Sequence, residues 1–411
     1  MDNNSEHFAV QMVSLFITYD LTDHTQDEVH ARNIIQILGE KNVAIDGCVT
    51  FWEDCVPLAA YINEFKGLTG SSLRGALNAK KKSITQSVLL GRTGDIPHWP
   101  RTYLYASKTF HISSRGDIEE AAAKIEFPCV MKLEYGSSAV GVSLVHDVTQ
   151  CHREWTTIQE ELRGENSHPG IGLGHGNQML LMDYISGSEH DVDVIIYKRR
   201  LIGAFVSDNG PTRLPRFTET AAAMPTYLPV DKRRQLIVAA YQCCVEVGLV
   251  SGVFNVELKL TPTAPKLIEI NARMGGFYLR DWIRTLYSVD ILLCSFLIAV
   301  GVCPILPDVH PPGQMVGVMT VPSAHRKALT DPANIKLLRL LEENGVVRIN
   351  RIERELAPPE EDKYEEPFFN IAVLDRDPET VKTKVIGVFS LLGLNTAEYP
   401  VEEYLKDFKR S

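Results

Sequence analysis

The rhythm of apolar positions changes twice along the chain and divides it into three segments, 1–95, 96–310 and 311–411. In the first, the run Phe8 to Thr18 is rich in β-forming side chains and predicts a strand. Val29, Ile34, Ile37 and Leu38 recur at helical spacing and predict a helix over 27–40. A short strand over 47–52, a helix over 56–65 and a helix over 80–90, opened by Lys80-Lys81-Lys82, complete this α/β segment. One strand–helix unit is lacking ahead of the last helix for a complete doubly wound domain.

The second segment opens at a linker, Ile96-Pro97. A helix over 117–125 leads into a strand over 129–133, and the Gly-rich stretch 164–176 reads as a loop. Three strands follow, over 179–185, 191–196 and 201–207, then a helix over 230–247 with Gly248 as its C-cap. Two more strands flank Thr261-Pro262-Thr263-Ala264-Pro265, and helices cover 277–286 and 290–300. The third segment mixes strands over 314–321 and 370–375 with helices over 332–343 and 378–392; its acidic, Pro-containing stretch 353–366 is a loop. There is no internal repeat.

Composition narrows the class. Hydrophobic residues make up 45% and charged residues 23% of 411 residues, the balance of a soluble globular chain with two or three domains. The net charge of −10 argues against nonspecific nucleic-acid binding, which needs clustered Lys and Arg. The N-terminus, Met1 to Phe8, lacks the basic and apolar regions of a signal peptide. The longest apolar run, Ile291 to Val302, is shorter than the roughly 20 residues that span a bilayer and predicts a buried helix, with no membrane partner. Cysteines 48, 55, 129, 151, 243, 244, 294 and 303 form no CxxC pair. Reduced thiols in a cytoplasmic protein are expected, and a zinc site is not.

Four motifs carry chemistry. In the strand before residue 261, Val253, Asn255, Glu257 and Lys259 project to one side, and Phe254, Val256, Leu258 and Leu260 to the other. With 261–265 as hairpin loop, Leu260 pairs with Lys266, Glu257 with Glu269 and Asn255 with Asn271. Two carboxylates and an amide then converge, and opposed like charges call for a hard cation such as magnesium. Second, Lys132 precedes Tyr135-Gly136-Ser137-Ser138-Ala139-Val140-Gly141-Val142, whose small residues let backbone N–H groups approach phosphate. Val142 stands where a Walker A loop needs lysine, so any phosphate grip is built differently. Third, Asp183-Tyr184-Ile185 ends a strand that turns at Gly187 and restarts through Glu189, Asp191 and Asp193. A carboxylate at such a turn can take ribose hydroxyls, and strand-end backbone can read an adenine edge. Fourth, Arg273 follows the carboxylate strand, with Gly275-Gly276 exposing backbone N–H groups at a helix start. The stretch Gly170 to Gly176 does not match GxGxxG and reads as a mobile loop. His168, His175 and His190 lack metal-ligand spacing, and no Ser-His-Asp or Cys-His arrangement is legible.

The order of these motifs, a lysine strand, a Gly-rich loop, an Asp-Tyr-Ile…Gly-x-Glu hinge, Glu257, then Glu269-x-Asn271-x-Arg273, resembles the ATP-grasp superfamily across about 75–305. Within it the chain is most similar to the amino-acid ligases and to the carnosine synthases among them. That closer likeness lies in Thr50-Phe51-Trp52-Glu53-Asp54-Cys55, in Met131 to Ser138 and in Glu269 to Trp282, and the chain looks like the C-terminal part of the longer vertebrate members. The resemblance implies an α/β ATP-grasp fold over 96–310, preceded by a partial Rossmann-like domain over 1–95 and followed by a mixed extension over 311–411. It implies that Lys132 and Lys82 contact the nucleotide with Ser137 and Ser138 of the loop. Asp183, Tyr184 and Ile185 would line the adenine pocket, with Glu189 on the ribose. Glu257, Glu269 and Asn271 would bind two magnesium or manganese ions. Arg273 would steady the transferring phosphoryl group, and Glu219, Arg273 and Gly276 would face substrate. The implied activity is ATP-dependent joining of β-alanine and L-histidine through an acyl phosphate. A ligase for other amino-acid pairs and a non-catalytic ATP-binding module are the alternatives; the presence of Glu257, Glu269, Asn271 and Arg273 together argues against the latter. The expected partners are small amino acids, and a homo-oligomer is compatible with the sequence.

Overall fold

The computed structural model describes residues 13–91, 104–136, 139–161, 175–176, 178–214, 216–351 and 366–409. The first segment is helical: α1 (Asp27–Glu40), α2 (Val56–Lys66), α3 (Leu73–Lys80) and α4 (Lys82–Leu89). Then come β1 (Thr109–Ile112), α5 (Arg115–Ala122), β2 (Cys129–Leu133), β3 (Ser143–Val145), α6 (Val148–Glu161) and β4 (Met179–Asp183). A longer block follows: β5 (Ser188–Tyr197), β6 (Arg200–Asn209), β7 (Ala221–Met224), α7 (Val230–Val247), β8 (Gly252–Leu260), β9 (Pro265–Asn271), α8 (Leu279–Tyr287) and α9 (Ile291–Ala299). The remainder is β10 (Gln314–Thr320), α10 (Pro322–Thr330), α11 (Pro332–Glu343), β11 (Arg348–Arg351), β12 (Phe369–Asp375), α12 (Pro378–Leu391) and α13 (Val401–Leu405).

The strands make two antiparallel sheets. The smaller has the order β1-β4-β2-β3, and the larger β11-β12-β10-β7-β6-β5-β8-β9. Strands from 96–310 and 311–411 therefore share one sheet, joined where β7 pairs with β10. On one face of it, Leu236, Ala239 and Cys243 of α7 bury Val192, Val206 and Val256. On the other, Trp282 and Ile283 of α8 pack on Ile195, Phe205 and Met315. The small sheet buries Met131, Leu133 and Leu181 against α5 and α6. Burying side chains of this size stabilises by about 1.5–3 kcal/mol each relative to exposure.

Local chemistry sets the path of the chain beside the site. Gly248 ends α7 in a left-handed conformation, φ +105, as its position after the helix predicts. Ser72 caps α3 by accepting from the Gly75 N–H at 2.9 Å, and its hydroxyl donates to the Gly248 carbonyl at 2.7 Å. A Cβ on Gly75 would lie 2.5 Å from the Gly248 backbone, so glycine is what permits this approach. The contact fixes α3 and, across the extended residue Lys81, the start of α4.

Several expectations need correction. The helix expected over 80–90 is the shorter α4, which starts at Lys82 because extended Lys81 separates it from α3. Residues 13–18 and 47–52 are irregular rather than strands, while 8–12 lie outside the described residues. Among the described residues no strand precedes β1, so β-forming side chains there have no edge to pair with. The short strands β1, β3, β7 and β11 and the helices α3, α6, α10 and α13 were not legible in the sequence. The linker Ile96-Pro97 lies outside the described residues, as do the two loops except at their C-terminal ends, 175–176 and Glu366. All eight cysteines are free. Among the described residues no single helix is long and apolar enough to cross a membrane; α8 and α9 pass only as a pair bent by 98°.

Candidate active site

The β8–β9 hairpin places Glu257 opposite Glu269 and Asn255 opposite Asn271, the expected pairs. The turn reaches them differently. Leu260 pairs with Pro265 and Leu258 with Leu267, and a bulge between Leu258 and Glu257 then restores the register. A slip of one residue would turn one set of side chains to the wrong face, and the bulge absorbs it.

A chain of amide contacts orients the set. Asn271 Nδ2 donates to Glu257 Oε1 at 2.9 Å and to Asn255 Oδ1 at 3.0 Å. Asn255 Nδ2 in turn donates to Asp191 Oδ1 at 3.0 Å. Both amide hydrogens of Asn271 are thus engaged, and its Oδ1 is the atom left for a ligand. Asp191 and Asp193 of β5 lie directly across from Glu257 and Asn255 on this face. Both lie on the strand expected over 191–196, and their period-two spacing with Glu189 puts all three on one sheet face.

Two lysines face these acids. Lys82, at the start of α4, brings Nζ to 3.2 Å from Glu269 Oε2 and donates to the Gly136 carbonyl at 3.1 Å. Burial alone would lower its proton affinity, but Glu269, Glu53 and Glu134 outweigh that and hold the ammonium above the usual lysine value. Lys132 on β2 is buried, and burial pushes it below that value despite the attraction of Glu269. Glu134 accepts from Ser83 N at 2.9 Å and Ser83 Oγ at 2.6 Å, fixing the N-terminus of α4 beside β2.

The acids divide accordingly. Burial opposes ionisation of Glu269, but Lys82 and Lys132 together bring its carboxyl below the usual range. Glu257, with no lysine in contact among the described residues, is pushed well up by burial and then by Glu269 and Asp191. Asp193 rises to about 7 through burial and Asp191, although it accepts the Gly275 N–H at 2.8 Å. Glu219 is exposed at the surface, yet neighbouring protein atoms, then Asp191 and Glu189, push its carboxyl up to about 8. Tyr278 is buried beside these carboxylates.

Arg273, just past β9, brings Nε to 3.0 Å from Glu53 Oε2 and donates from Nη1 to the Met274 carbonyl at 2.9 Å. Glu53 was not among the expected site residues. Gly276 is exposed, and no atom lies within 4 Å of where its Cβ would be. Further along the face, Glu189 lies 3.4 Å from Lys259 Nζ, which sits 6.0 Å from the Tyr184 ring centroid. Asp183 Oδ2 accepts from Lys108 N at 2.8 Å and the Asp183 N–H donates to Lys108 O at 3.1 Å, so the residue also anchors β1. Tyr184 and Ile185 are half-buried. Ser137, Ser138 and His168 lie outside the described residues. His175 stacks on Tyr135 with ring centroids 4.2 Å apart. A Ser-His-Asp array, not legible in the sequence, does link β5 to β6: His190 contacts Ser188 Oγ at 2.7 Å and Asp208 Oδ1 at 2.9 Å. It faces away from the acids, and Asp208 also accepts from Tyr227 N at 2.6 Å, which makes it a structural tie.

The oxygen donors Glu257, Glu269 and Asn271 fit a hard divalent ion. Among the described residues no cluster of three or more His, Cys, Asp or Glu could hold a metal by itself. A site with two carboxylates and an amide suits magnesium that takes its remaining ligands from water and substrate phosphates.

A family profile described as "ATP-grasp in the biosynthetic pathway with Ter operon" matches residues 175–280. Carnosine synthase 1 of Homo sapiens is 46% identical over 410 residues, covering 100% of this chain and 49% of that protein. Alanine–anticapsin ligase of Bacillus subtilis is 22% identical over 291 residues, covering 68% of this chain and 58% of the relative. The chain spans about half the length of the carnosine synthases it matches. The crystal structure of an L-amino acid ligase from Bacillus licheniformis superimposes with a TM-score of 0.69 at 16% identity, over 89% of this chain and 84% of that one. At that identity the likeness shows the fold, and the fold is ATP-grasp.

Proposed function

The chain is an ATP-grasp protein, and from that premise we propose that it is an ATP-dependent carboxylate–amine ligase joining β-alanine to L-histidine. The observation that carries the reading is the convergence of Glu257, Glu269 and Asn271 with Lys82 and Lys132 at one end of the sheet. Paired oxygen donors beside paired ammonium groups match the two halves of a metal–polyphosphate. The pairing of substrates rests on 46% identity to carnosine synthase 1.

In this reading the β-alanine carboxylate attacks the γ-phosphorus, the bond to the ADP oxygen breaks, and its electron pair leaves with ADP. The resulting acyl phosphate is attacked at carbon by the unprotonated amine of histidine, and phosphate departs with the C–O electron pair and takes up the proton that the nitrogen loses. Lys82 and Lys132 bind and align the phosphates, which is most of what phosphoryl transfer asks of a protein. Arg273 and the N–H group of Gly276 face the charge that develops on the acyl oxygen, and Glu219 faces the amine. A divalent ion on Glu257, Glu269 and Asn271 supplies further neutralisation of the phosphates. Holding both substrates in one site contributes the advantage of orientation.

A panel of amino-acid pairs, scored by ADP release and product mass, tests the reading. β-Alanine with L-histidine is expected to stimulate ADP release above ATP alone and to yield the dipeptide. Stimulation by other pairs and not by this one would favour a ligase of different specificity, which the likeness to alanine–anticapsin ligase supports. Nucleotide binding without turnover for any pair would favour a regulatory module.

A further inference from the structure

The run Thr50 to Cys55 forms a 3-10 turn, Glu53–Cys55, immediately before α2. From it the Glu53 side chain reaches out of the N-terminal segment and into the site. Glu53 Oε2 lies 3.0 Å from Arg273 Nε, both side chains being about one-fifth exposed, at 22% and 20%. Asp54 Oδ1 accepts from Lys80 Nζ at 2.7 Å, and the same Nζ donates to the Glu53 carbonyl at 3.4 Å. The turn is therefore clasped from α3, next to the helix that begins with Lys82.

The contact determines what Arg273 can do. Guanidinium is a planar fork, and its value to an anion lies in the direction of that plane. Glu53 Oε2 stands 3.0 Å from Nε as an ion pair, without an aligned N–H···O bond, and Nη1 donates to the Met274 carbonyl. Among the described residues no protein acceptor engages Nη2. One edge of the fork is hydrogen-bonded to protein, a second faces the Glu53 carboxylate and the third remains for a ligand, while the Arg273 carbonyl accepts from Asn255 N at 2.9 Å. A long side chain so held gives up little rotational freedom when an anion arrives.

We propose that Glu53 is a positioning residue for Arg273, contributed across 220 residues by the N-terminal segment to complete the site. This rests on the reading above in that Arg273 faces the reacting groups. Glu53 does not touch substrate; it acts by aiming the guanidinium.

A double-mutant cycle on the full chain tests it, with Glu53→Gln, Arg273→Ala and the double variant. Glu53→Gln is isosteric, and its thermal midpoint is expected within about 2 °C of the parent. Its kcat should fall tenfold or more, roughly what misaiming a positioning group costs, with KM for ATP within about twofold. In the Arg273→Ala background the same substitution should change kcat by less than about twofold, because there is nothing left to aim. Equal losses in both backgrounds, or no loss in the parent background, would overturn the role of Glu53 while leaving that of Arg273 intact. Arg273→Ala at the parent rate would overturn both. A readout free of turnover is the Arg273 Nε–H resonance, assigned by its disappearance in Arg273→Ala. It should shift in Glu53→Gln, and an unmoved resonance would contradict the proposal.

Discussion

Replacing Glu269 with Gln removes one negative charge and little volume from the centre of the site. Glu269 is the carboxylate that Lys82 and Lys132 keep ionised, with Lys82 Nζ at 3.2 Å. Two effects of opposite sign follow. At the proposed site a metal would lose one of two carboxylate ligands, and losing a charged contact of this kind costs about 1.5–3 kcal/mol, or roughly 10–150-fold in affinity. Metal-free nucleotide, in contrast, then meets two lysines with less to neutralise them, so its affinity should hold or rise. Calorimetric titration of a non-hydrolysable ATP analogue with and without magnesium separates the two. The expected result is loss of the magnesium-dependent gain in affinity, retention of metal-free binding, and ligation reduced to background in the ADP-release assay. Near-normal ligation, or an equal loss of affinity with and without magnesium, would refute the reasoning, the second because it would report general damage rather than a missing ligand.

Other outcomes follow from the same geometry. A Cβ on Gly275 would lie 2.5 Å from Leu279 Cδ1 and 2.7 Å from Asp193 Oδ1, so Gly275→Ala should cost about 1–3 kcal/mol in urea unfolding. Gly276→Ala meets no atom within 4 Å and should change stability by less than about 0.5 kcal/mol. A loss of ligation in that variant therefore reports on close approach of substrate to the backbone. Asp193 binds its proton more tightly folded, at about 7, than unfolded, near 3.8. Its contribution is thus fully favourable at low pH and is lost as pH rises toward 7, by up to roughly 1.4 kcal/mol per pH unit. Asp193→Asn in ligand-free protein should gain stability relative to the parent between pH 5 and 8; parallel pH profiles would count against the shift.

How far the sequence could be read follows from how local each signal is. The helices over 27–40, 230–247 and 332–343 agree residue for residue with α1, α7 and α11, because periodicity and caps are contained within each. The hairpin was legible at Glu257 and Glu269 but not at its turn. Pro265 suggests loop, yet it opens β9, the edge strand of the sheet, where a residue without an N–H is tolerated. β7 escaped notice because Ala221, Ala222 and Ala223 have weak strand preference; they form a strand because β6 and β10 hold both edges. Asp191 and Asp193 could be seen as acidic but not as neighbours of Glu257, since that depends on β5 pairing with β8 across more than sixty residues. Glu53 was legible only as part of the run Thr50 to Cys55 that carries the family likeness, since its partner is fixed only when the first segment docks on the end of β9.

The central claim is that the Glu257–Glu269–Asn271 hairpin carries the nucleotide's metal. A complex with manganese and a non-hydrolysable ATP analogue, with the ion located by its anomalous scattering, tests it most directly. The account predicts manganese within about 2.0–2.3 Å of oxygens from Glu257, Glu269 and Asn271 and from the phosphates, with Lys82 and Lys132 on the same phosphates. Manganese bound elsewhere, or phosphates seated away from this hairpin, would contradict it.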